Sequence, residues 1–445
     1  MAVESPRLKS RSVYDVHRAT AMLMLTSPSI PKGANHCPAI WPIDVATTVK
    51  VASARVMAES FQSLMRFDPR TVDDISGLHK IYRRIGSEPE TYLDWGMTIA
   101  EGVRSDTHWS ISTSDGMRAI NIALETLLSP GDGIVVSKPL YGCTDGYFSG
   151  PAQRRGYDVR IVDLTAPEAI LEVLNPKTKV VYFETLTNPD LRTYDLETIS
   201  RLAKGQNPNI VIVVDNTFQS PAGCNPLLHG ADISVHSATK ALGGFSQEMM
   251  GFIVAPKSLW AELFMHRKDS GGVPAPQQVH EILTRGLPTL YMRFAAAQNN
   301  ATVMAQHLQD SSKMRRTVYP GLPGYQYSDN ARRLFADWDG NFAPGFMLSF
   351  VPEGKTEQIR TARAKRIIDY IARFGGGIIK HAVSLGGISS LIEMPYLGTH
   401  ATVPAEEKAR WGIDSGMIRL SVGIAPVGDQ ISLLDDAIRV AFNKP

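Results

Sequence analysis

Short apolar runs separated by helical patterns dominate the middle of the chain. Between about residues 105 and 256 they are Ile134-Val135-Val136, Val159-Arg160-Ile161-Val162, Val180-Val181-Tyr182-Phe183, Ile210 to Val214, Ile233 to Val235 and Phe252-Ile253-Val254. Runs this short, β-branched and bounded by Gly, Pro or Asp, predict strands buried on both faces. Their alternation with helices predicts an α/β domain built on a mostly parallel sheet. Beyond it, Leu290 to Leu308 predicts a long helix, and Phe346 to Val351 and Ile418 to Val422 predict further strands. A final helix from Gln430 to Phe442 places Ile431, Leu434, Ile438 and Ala441 on one face. These last elements predict a smaller C-terminal α+β domain.

The first 80 residues read differently. Pro28, Pro31, Pro38 and Pro42 break the pattern, and a helix-like stretch follows from Val45 to Met65. We expect an N-terminal arm over residues 1–80 that makes oligomer or active-site contacts, an α/β cofactor-binding domain over 81–295, and the α+β domain over 296–445.

Composition narrows the function. Forty-six Lys and Arg against 44 Asp and Glu give a net charge of +2 over 445 residues, which leaves no electrostatic footprint for nucleic acid or an anionic membrane. The cysteines are three, Cys37, Cys143 and Cys224, with no spacing of a metal site or disulfide framework. Arg7, Lys9, Arg11 and Arg18 precede a short apolar run, Ala21 to Leu25, that is too brief for a membrane span and lacks a signal-peptide cleavage site. The expectation is a cytoplasmic protein without a metal, acting on a neutral or amphoteric small molecule.

In an open α/β sheet, functional groups gather beyond the carboxyl ends of strands. Here one apolar run leads into Asp215-Asn216-Thr217-Phe218 and another into His236-Ser237-Ala238-Thr239-Lys240, with Gly243-Gly244 following. A lysine among small hydroxyl residues and glycines suits a tight turn that presents an amine, whose chemical use is a Schiff base with a carbonyl cofactor. Pyridoxal 5'-phosphate further requires a carboxylate at its ring nitrogen, an aromatic face and a phosphate cup. Asp215 can supply the first and Tyr141 the second. The third can come from Ser114-Asp115-Gly116-Met117 at the start of a helix over 118–128, with hydroxyls from Ser237 and Thr239. Singly, each has a blander reading as a solvated charge, a turn former or a packed aromatic; their joint order carries the cofactor reading.

With those residues in view, the chain resembles the Cys/Met-metabolism family of pyridoxal-phosphate enzymes, which includes cystathionine γ-synthase, cystathionine lyases and methionine γ-lyase. The resemblance rests on Asp215-Asn216-Thr217-Phe218, on His236 to Ser246, on Arg285 to Leu290, on Ser384-Leu385-Gly386-Gly387 and on Ile418 to Ile424. It implies the aspartate-aminotransferase-like fold type I. It also implies that Lys240 is the Schiff-base lysine, that Asp215 partners the pyridinium and that Tyr141 stacks on the ring and protonates the leaving group, its pKa lowered by the cofactor's charge. Ser114, Gly116, Met117, Thr217, Ser237 and Thr239 would hold the cofactor, and Tyr82 and Arg84 would reach a neighbouring subunit's phosphate. Arg419 would grip the substrate carboxylate beside Ser384 and Asn188, with Cys143 near the substrate.

The activity so implied is γ-replacement or γ-elimination on an amino acid with a Cγ leaving group, such as an O-acyl-homoserine or methionine, with a second nucleophile as possible co-substrate. The assembly so implied is a homodimer or homotetramer with shared active sites. Alternatives are a β-eliminating C–S lyase and a silent cofactor-binding subunit. Cys143 leans toward thioether chemistry. Ser389 stands where cystathionine-cleaving relatives often carry Glu, and Phe245 and Gln247 also depart from the pattern. Asp115 in the phosphate loop reads either as an intruding charge or as a cap. Ser237-x-x-Lys240 and Ser328-Asp329-Asn330 mimic two motifs of serine β-lactamases, but Lys355-Thr356 is followed by Glu357 and the third motif fails.

Overall fold

The computed structural model describes residue 14 and residues 16–28, 36–65 and 81–443. Arg7, Lys9, Arg11 and Pro31 lie outside the described residues. The backbone falls into two compact units: the described residues up to Leu127 with Ala231–Tyr291, and Leu128–Gly230 with the described residues from Met292 onward.

Twelve strands occur among the described residues: β1 (His108–Thr113), β2 (Gly133–Ser137), β3 (Asp158–Val162), β4 (Thr178–Glu184), β5 (Val211–Asp215), β6 (Ile233–Ser237), β7 (Gly251–Pro256), β8 (Met314–Val318), β9 (Met347–Pro352), β10 (Ile379–His381), β11 (Ser390–Glu393) and β12 (Ile418–Ser421). In the first unit, β7 pairs antiparallel with both β1 and β6. In the second, β5, β4, β2 and β3 lie side by side and all parallel. The apolar runs explain this: Ile134, Val135, Val136, Val180 and Val181 are completely buried, as central parallel strands covered on both faces must be.

The second unit also holds a sheet ordered β10-β11-β12-β9-β8. Helices Glu357–Phe374 and Val427–Asn443 cover it, and Leu348, Phe350, Ile367, Ile371, Ile392, Leu420, Leu434 and Ile438 share one core. Each predicted strand is present within a residue or two, and the two long predicted helices are Leu287–Asp310 and Val427–Asn443.

The predicted helix over Val45–Met65 needs correction: it spans only Ala54–Met65. Thr47, Thr48 and Val49 favour extended backbone, and they find pairing partners there. Arg83 N–H donates to Thr47 C=O at 2.9 Å and Val49 N–H to Ile81 C=O at 3.1 Å. Ser53 then marks the helix start, its hydroxyl oxygen accepting from Val56 N–H at 3.3 Å.

Candidate active site

β6 ends at Ser237, and the chain turns at once through Ala238-Thr239-Lys240. Lys240 N–H donates to Ser237 C=O at 3.2 Å, Gly243 N–H to Ala238 C=O at 2.7 Å and Gly244 N–H to Lys240 C=O at 2.8 Å. Gly244 adopts φ 74°, which suits glycine, and a Cβ at Gly243 would lie 2.9 Å from the Ala238 carbonyl oxygen. The turn thus fixes Lys240, half-buried, at its head. The Thr239 hydroxyl accepts from Met250 N–H at 3.2 Å, which ties the turn to the approach of β7.

The helix Gly116–Leu127 begins against this turn. A Cβ on Gly116 would stand 2.6 Å from Ser237 Cβ and 2.9 Å from its Cα. Only glycine permits the approach, which brings the first N–H groups of the helix beside the end of β6, an arrangement suited to an anion. Asp115 is a cap: Oδ1 accepts from Arg118 N–H at 2.8 Å and Oδ2 from the Ser114 hydroxyl at 2.9 Å. Ser114 N–H donates to Gly272 C=O at 2.7 Å. Tyr82 and Arg84 are both exposed, with the guanidinium carbon 5.1 Å from the ring centroid.

In the second unit, Asp215 closes β5. Its Oδ2 accepts from the buried Tyr182 hydroxyl at 3.2 Å and its Oδ1 from Thr217 N–H at 3.0 Å. Beside it in register is Glu184, the last residue of β4. Glu184 is buried, and desolvation together with the Asp215 charge holds its carboxyl well above the usual range, although N–H groups of Tyr141 and Asn188 work against this. Those N–H groups donate to Glu184 Oε1 at 2.7 Å and Oε2 at 2.9 Å.

Tyr141 precedes the helix Gly142–Ser149, and the Cys143 thiol donates to its hydroxyl oxygen at 3.3 Å. Cys143 is exposed. In the protein without the cofactor's charge, burial raises the Tyr141 phenol pKa and Arg419 opposes the rise.

Arg419 is buried on β12, with Nη1 donating to Asn188 Oδ1 at 2.9 Å and Nη2 to Ser384 C=O at 3.1 Å. Nη2 also meets Glu393 Oε1 at 2.6 Å, the two residues being register partners on β12 and β11. Burial lowers the guanidinium pKa while Glu393 raises it. Thr399 donates to the same Glu393 oxygen at 2.9 Å, and His400 Nε2 lies 3.0 Å from Leu140 C=O and 3.2 Å from Asn188 C=O. Facing two carbonyl oxygens, that nitrogen carries the proton. Arg419, Asn188, Ser384, Tyr141 and Cys143 therefore belong to one hydrogen-bonded cluster that Glu184, Glu393 and His400 complete.

Sequence reading missed these last three and Tyr182. Glu184 carried a signal, a second acid at the end of an apolar run, parallel to Asp215. Glu393 ends a strand of four residues, too short to show a period. The β-lactamase-like triplet opens the helix Ser328–Leu334, where Asn330 donates to Thr193 C=O at 3.1 Å.

These residues fit pyridoxal phosphate. The first unit holds an amine at a turn and an anion cradle that admits no side chain at Gly116. The second holds a carboxylate whose two oxygens are oriented by Tyr182 and Thr217, and a phenol anchored by Glu184. The chain matches the model of the Cys/Met metabolism PLP-dependent enzymes over residues 58–439. It is 34% identical over 360 residues to the L-methionine gamma-lyase of Fusobacterium nucleatum subsp. polymorphum, covering 80% of this chain and 86% of that one. It is 31% identical over 361 residues to the cystathionine gamma-lyase of Bos taurus, covering 81% and 84%. Its backbone is similar to cystathionine gamma synthase from Xanthomonas oryzae pv. oryzae, crystallised with aminoacrylate and cysteine, at a TM-score of 0.81 and 29% identity over 96% of this chain and 99% of that one. The fold is the PLP-dependent fold type I, a mainly parallel α/β sheet domain with a smaller C-terminal domain. With the strand-end lysine and acid, the close helix start and the arginine cluster in place, the chain belongs to the Cys/Met metabolism PLP-dependent enzyme family and is a pyridoxal-phosphate enzyme of γ-elimination or γ-replacement on an amino acid.

Proposed function

We propose that the chain eliminates the Cγ substituent of a thioether amino acid of the methionine type. The observation that carries this reading is the Cys143 thiol hydrogen-bonded to the Tyr141 hydroxyl at 3.3 Å, a soft sulfur group beside the leaving-group acid. Bound pyridoxal phosphate supplies an electron sink that acidifies the substrate's Cα and then Cβ protons. Lys240, held by its turn, takes and returns those protons. Asp215, oriented by Tyr182 and Thr217, keeps a negative charge for the ring nitrogen. Gly116, Met117, Ser237 and Thr239 cradle the phosphate, with Ser114 and Thr217 bracing the cradle and the acid.

Arg419 receives the substrate carboxylate, oriented by Asn188 and the Ser384 carbonyl, and Glu393 limits the cost of its burial. Tyr141 carries a proton throughout the neutral range, because burial raises its pKa, and delivers it to the departing sulfur. The balance is methionine plus water giving 2-oxobutanoate, ammonia and methanethiol. Ser389, half-buried and uncharged, supports the exclusion of a substrate with a distal ammonium.

The exposed Tyr82 and Arg84 pair supports a homodimer or homotetramer in which they reach a neighbouring subunit's phosphate. We assign cofactor binding to residues 81–295, the smaller domain to 296–445 and oligomer contacts to the arm over 1–80. We place the enzyme in the cytoplasm; no helix among the described residues is long and apolar enough to cross a membrane. The test is product analysis with methionine, O-acetylhomoserine and cystathionine. Release of 2-oxobutanoate and methanethiol from methionine supports the reading. Pyruvate as the 2-oxo acid would establish β-elimination, and turnover of O-acetylhomoserine only with added thiol would establish replacement.

A further inference from the structure

In the second unit, a cavity of about 560 Å³ opens between β8, the loop from Tyr319 to Tyr327 and the Trp411-Gly412 turn. Its volume falls within the roughly 300–1,000 Å³ of small-molecule sites. Three arginines and one aspartate among its lining residues carry charge: Arg192, Arg315, Arg316 and Asp190.

Arg192 is already committed. Its Nε meets Asp190 Oδ2 at 2.5 Å, its Nη1 meets Asp163 Oδ2 at 3.0 Å and its Nη2 donates to Trp411 C=O at 2.7 Å. One guanidinium thus faces two carboxylates, which leaves this cluster with a net charge of −1. Arg315 and Arg316 differ: both are exposed, and neither guanidinium has a hydrogen-bond or ion-pair partner among the described residues. On a regular strand, consecutive residues face opposite ways. Here a register shift between Met314 and Arg316 interrupts the β8–β9 ladder, and both arginines line the cavity.

One neutral group completes the wall. Tyr327 is half-buried, its ring edge-to-face with Tyr325 at 5.7 Å, and burial comes first in raising its phenol pKa, with Asp190 and Asp163 adding to the rise and Arg192 and Arg316 opposing it. Tyr325 is itself fixed, donating to Leu191 C=O at 2.5 Å.

We propose that this cavity is a binding site for a small organic phosphate carrying a planar ring, of the nucleoside monophosphate class. Arg315 and Arg316 pair with the phosphate dianion, and Tyr327 offers a ring face and a hydroxyl to the planar group. None of its lining residues is among those proposed above to hold the cofactor, and its occupancy does not depend on the reaction proposed above.

The test is calorimetric titration of the cofactor-loaded enzyme with AMP, ribose 5-phosphate and adenosine. Saturable AMP binding is expected, with ribose 5-phosphate weaker and adenosine weakest. R315Q/R316Q, which alters two exposed and unpaired side chains, should weaken AMP by about 10-fold or more, the size expected for lost charge-assisted hydrogen bonds. Y327F should weaken AMP by a smaller factor and leave ribose 5-phosphate unchanged. Failure of AMP to saturate, equal affinity for adenosine and AMP, or unaltered AMP affinity in R315Q/R316Q overturns the proposal.

Discussion

Glu184 anchors Tyr141 through its backbone, accepting the tyrosine N–H at 2.7 Å on Oε1 while its other oxygen takes Asn188 N–H at 2.9 Å. One carboxylate at a strand end thus sets both the phenol proposed to protonate the leaving group and the amide that orients Arg419.

Replacing Glu184 by Gln turns one acceptor into a donor facing an N–H. We expect kcat/KM to fall about 10- to 100-fold, with KM for the amino acid rising because the Asn188–Arg419 grip loosens, while far-UV circular dichroism stays unchanged. The pH dependence is a second readout. The Glu184 carboxyl is raised well above its ordinary value, so the native state binds more protons than the unfolded chain. Its contribution is complete below the unfolded value of about 4.3 and is lost as pH rises through the folded value. The E184Q variant lacks this loss, so its unfolding midpoint should gain on the parent's as pH rises from about 5. A constant gap would exclude the buried carboxyl as its source.

Much of this was legible in the chain, for physical reasons. Strands buried on both faces write themselves as unbroken apolar runs, so β2, β4, β5 and β6 and the strand-end positions of Asp215 and Lys240 could be read directly. Partners across the sheet could not. Glu184 faces Asp215 only because β4 and β5 pair in register, and Glu393 meets Arg419 only because β11 and β12 do. The role of Asp115 was undecidable from composition. It depended on whether the carboxylate turned toward the helix N–H groups, which it does. The Val45–Ser53 segment was misread because its helical spacing lost to extended pairing with residues 81–83.

The cap at Asp115 and the close approach at Gly116 separate two effects on the same loop. A methyl group on Gly116 would lie 2.6 Å from Ser237 Cβ, well inside the ~3.5–4.0 Å of carbon contacts. Gly116→Ala should therefore push the helix start off the end of β6 and weaken pyridoxal phosphate by at least about 10-fold, read from retained cofactor absorbance on dialysis. Asp115→Ala should instead lower stability to urea by about 1 kcal/mol, and Asp115→Asn by much less. Retention of cofactor by Gly116→Ala at the parental affinity would contradict the cradle.

Cys143 acts on Tyr141 in a direction that can be measured. Burial raises the phenol, and the Cys143 thiol donates to its oxygen at 3.3 Å, a bond that favours release of the phenolic proton. Cys143→Ala removes that donor and leaves a weaker acid, so kcat for methionine should fall, whereas Cys143→Ser keeps a donor and should hold kcat nearer the parent. Steady-state kinetics of the three proteins decide the matter. Equal kcat for parent and Cys143→Ala would detach the thiol from the phenol.

The first unit depends on a buried ion pair far from the lysine in sequence. Arg267, 2% exposed, places Nη1 at 2.6 Å from Glu90 Oε1 and at 2.7 Å from Ser112 C=O. It thereby joins helix Lys257–Ser270 to helix Glu88–Ala100 and to β1, the strand that delivers Ser114 and Gly116 to the cradle. Removing one partner strands a charge in a low-dielectric interior, so Arg267→Met alone should cost about 3–5 kcal/mol in urea unfolding of the loaded enzyme, whereas removing both partners costs much less. The Glu90→Gln, Arg267→Met double variant should accordingly recover a large part of the loss. Because β1 leads into the phosphate loop, the single variant should also release cofactor at lower urea than the parent, ahead of global unfolding. If the double variant is as unstable as the sum of the singles, the two side chains are not energetically coupled, and Arg267 contributes only through its bond to Ser112.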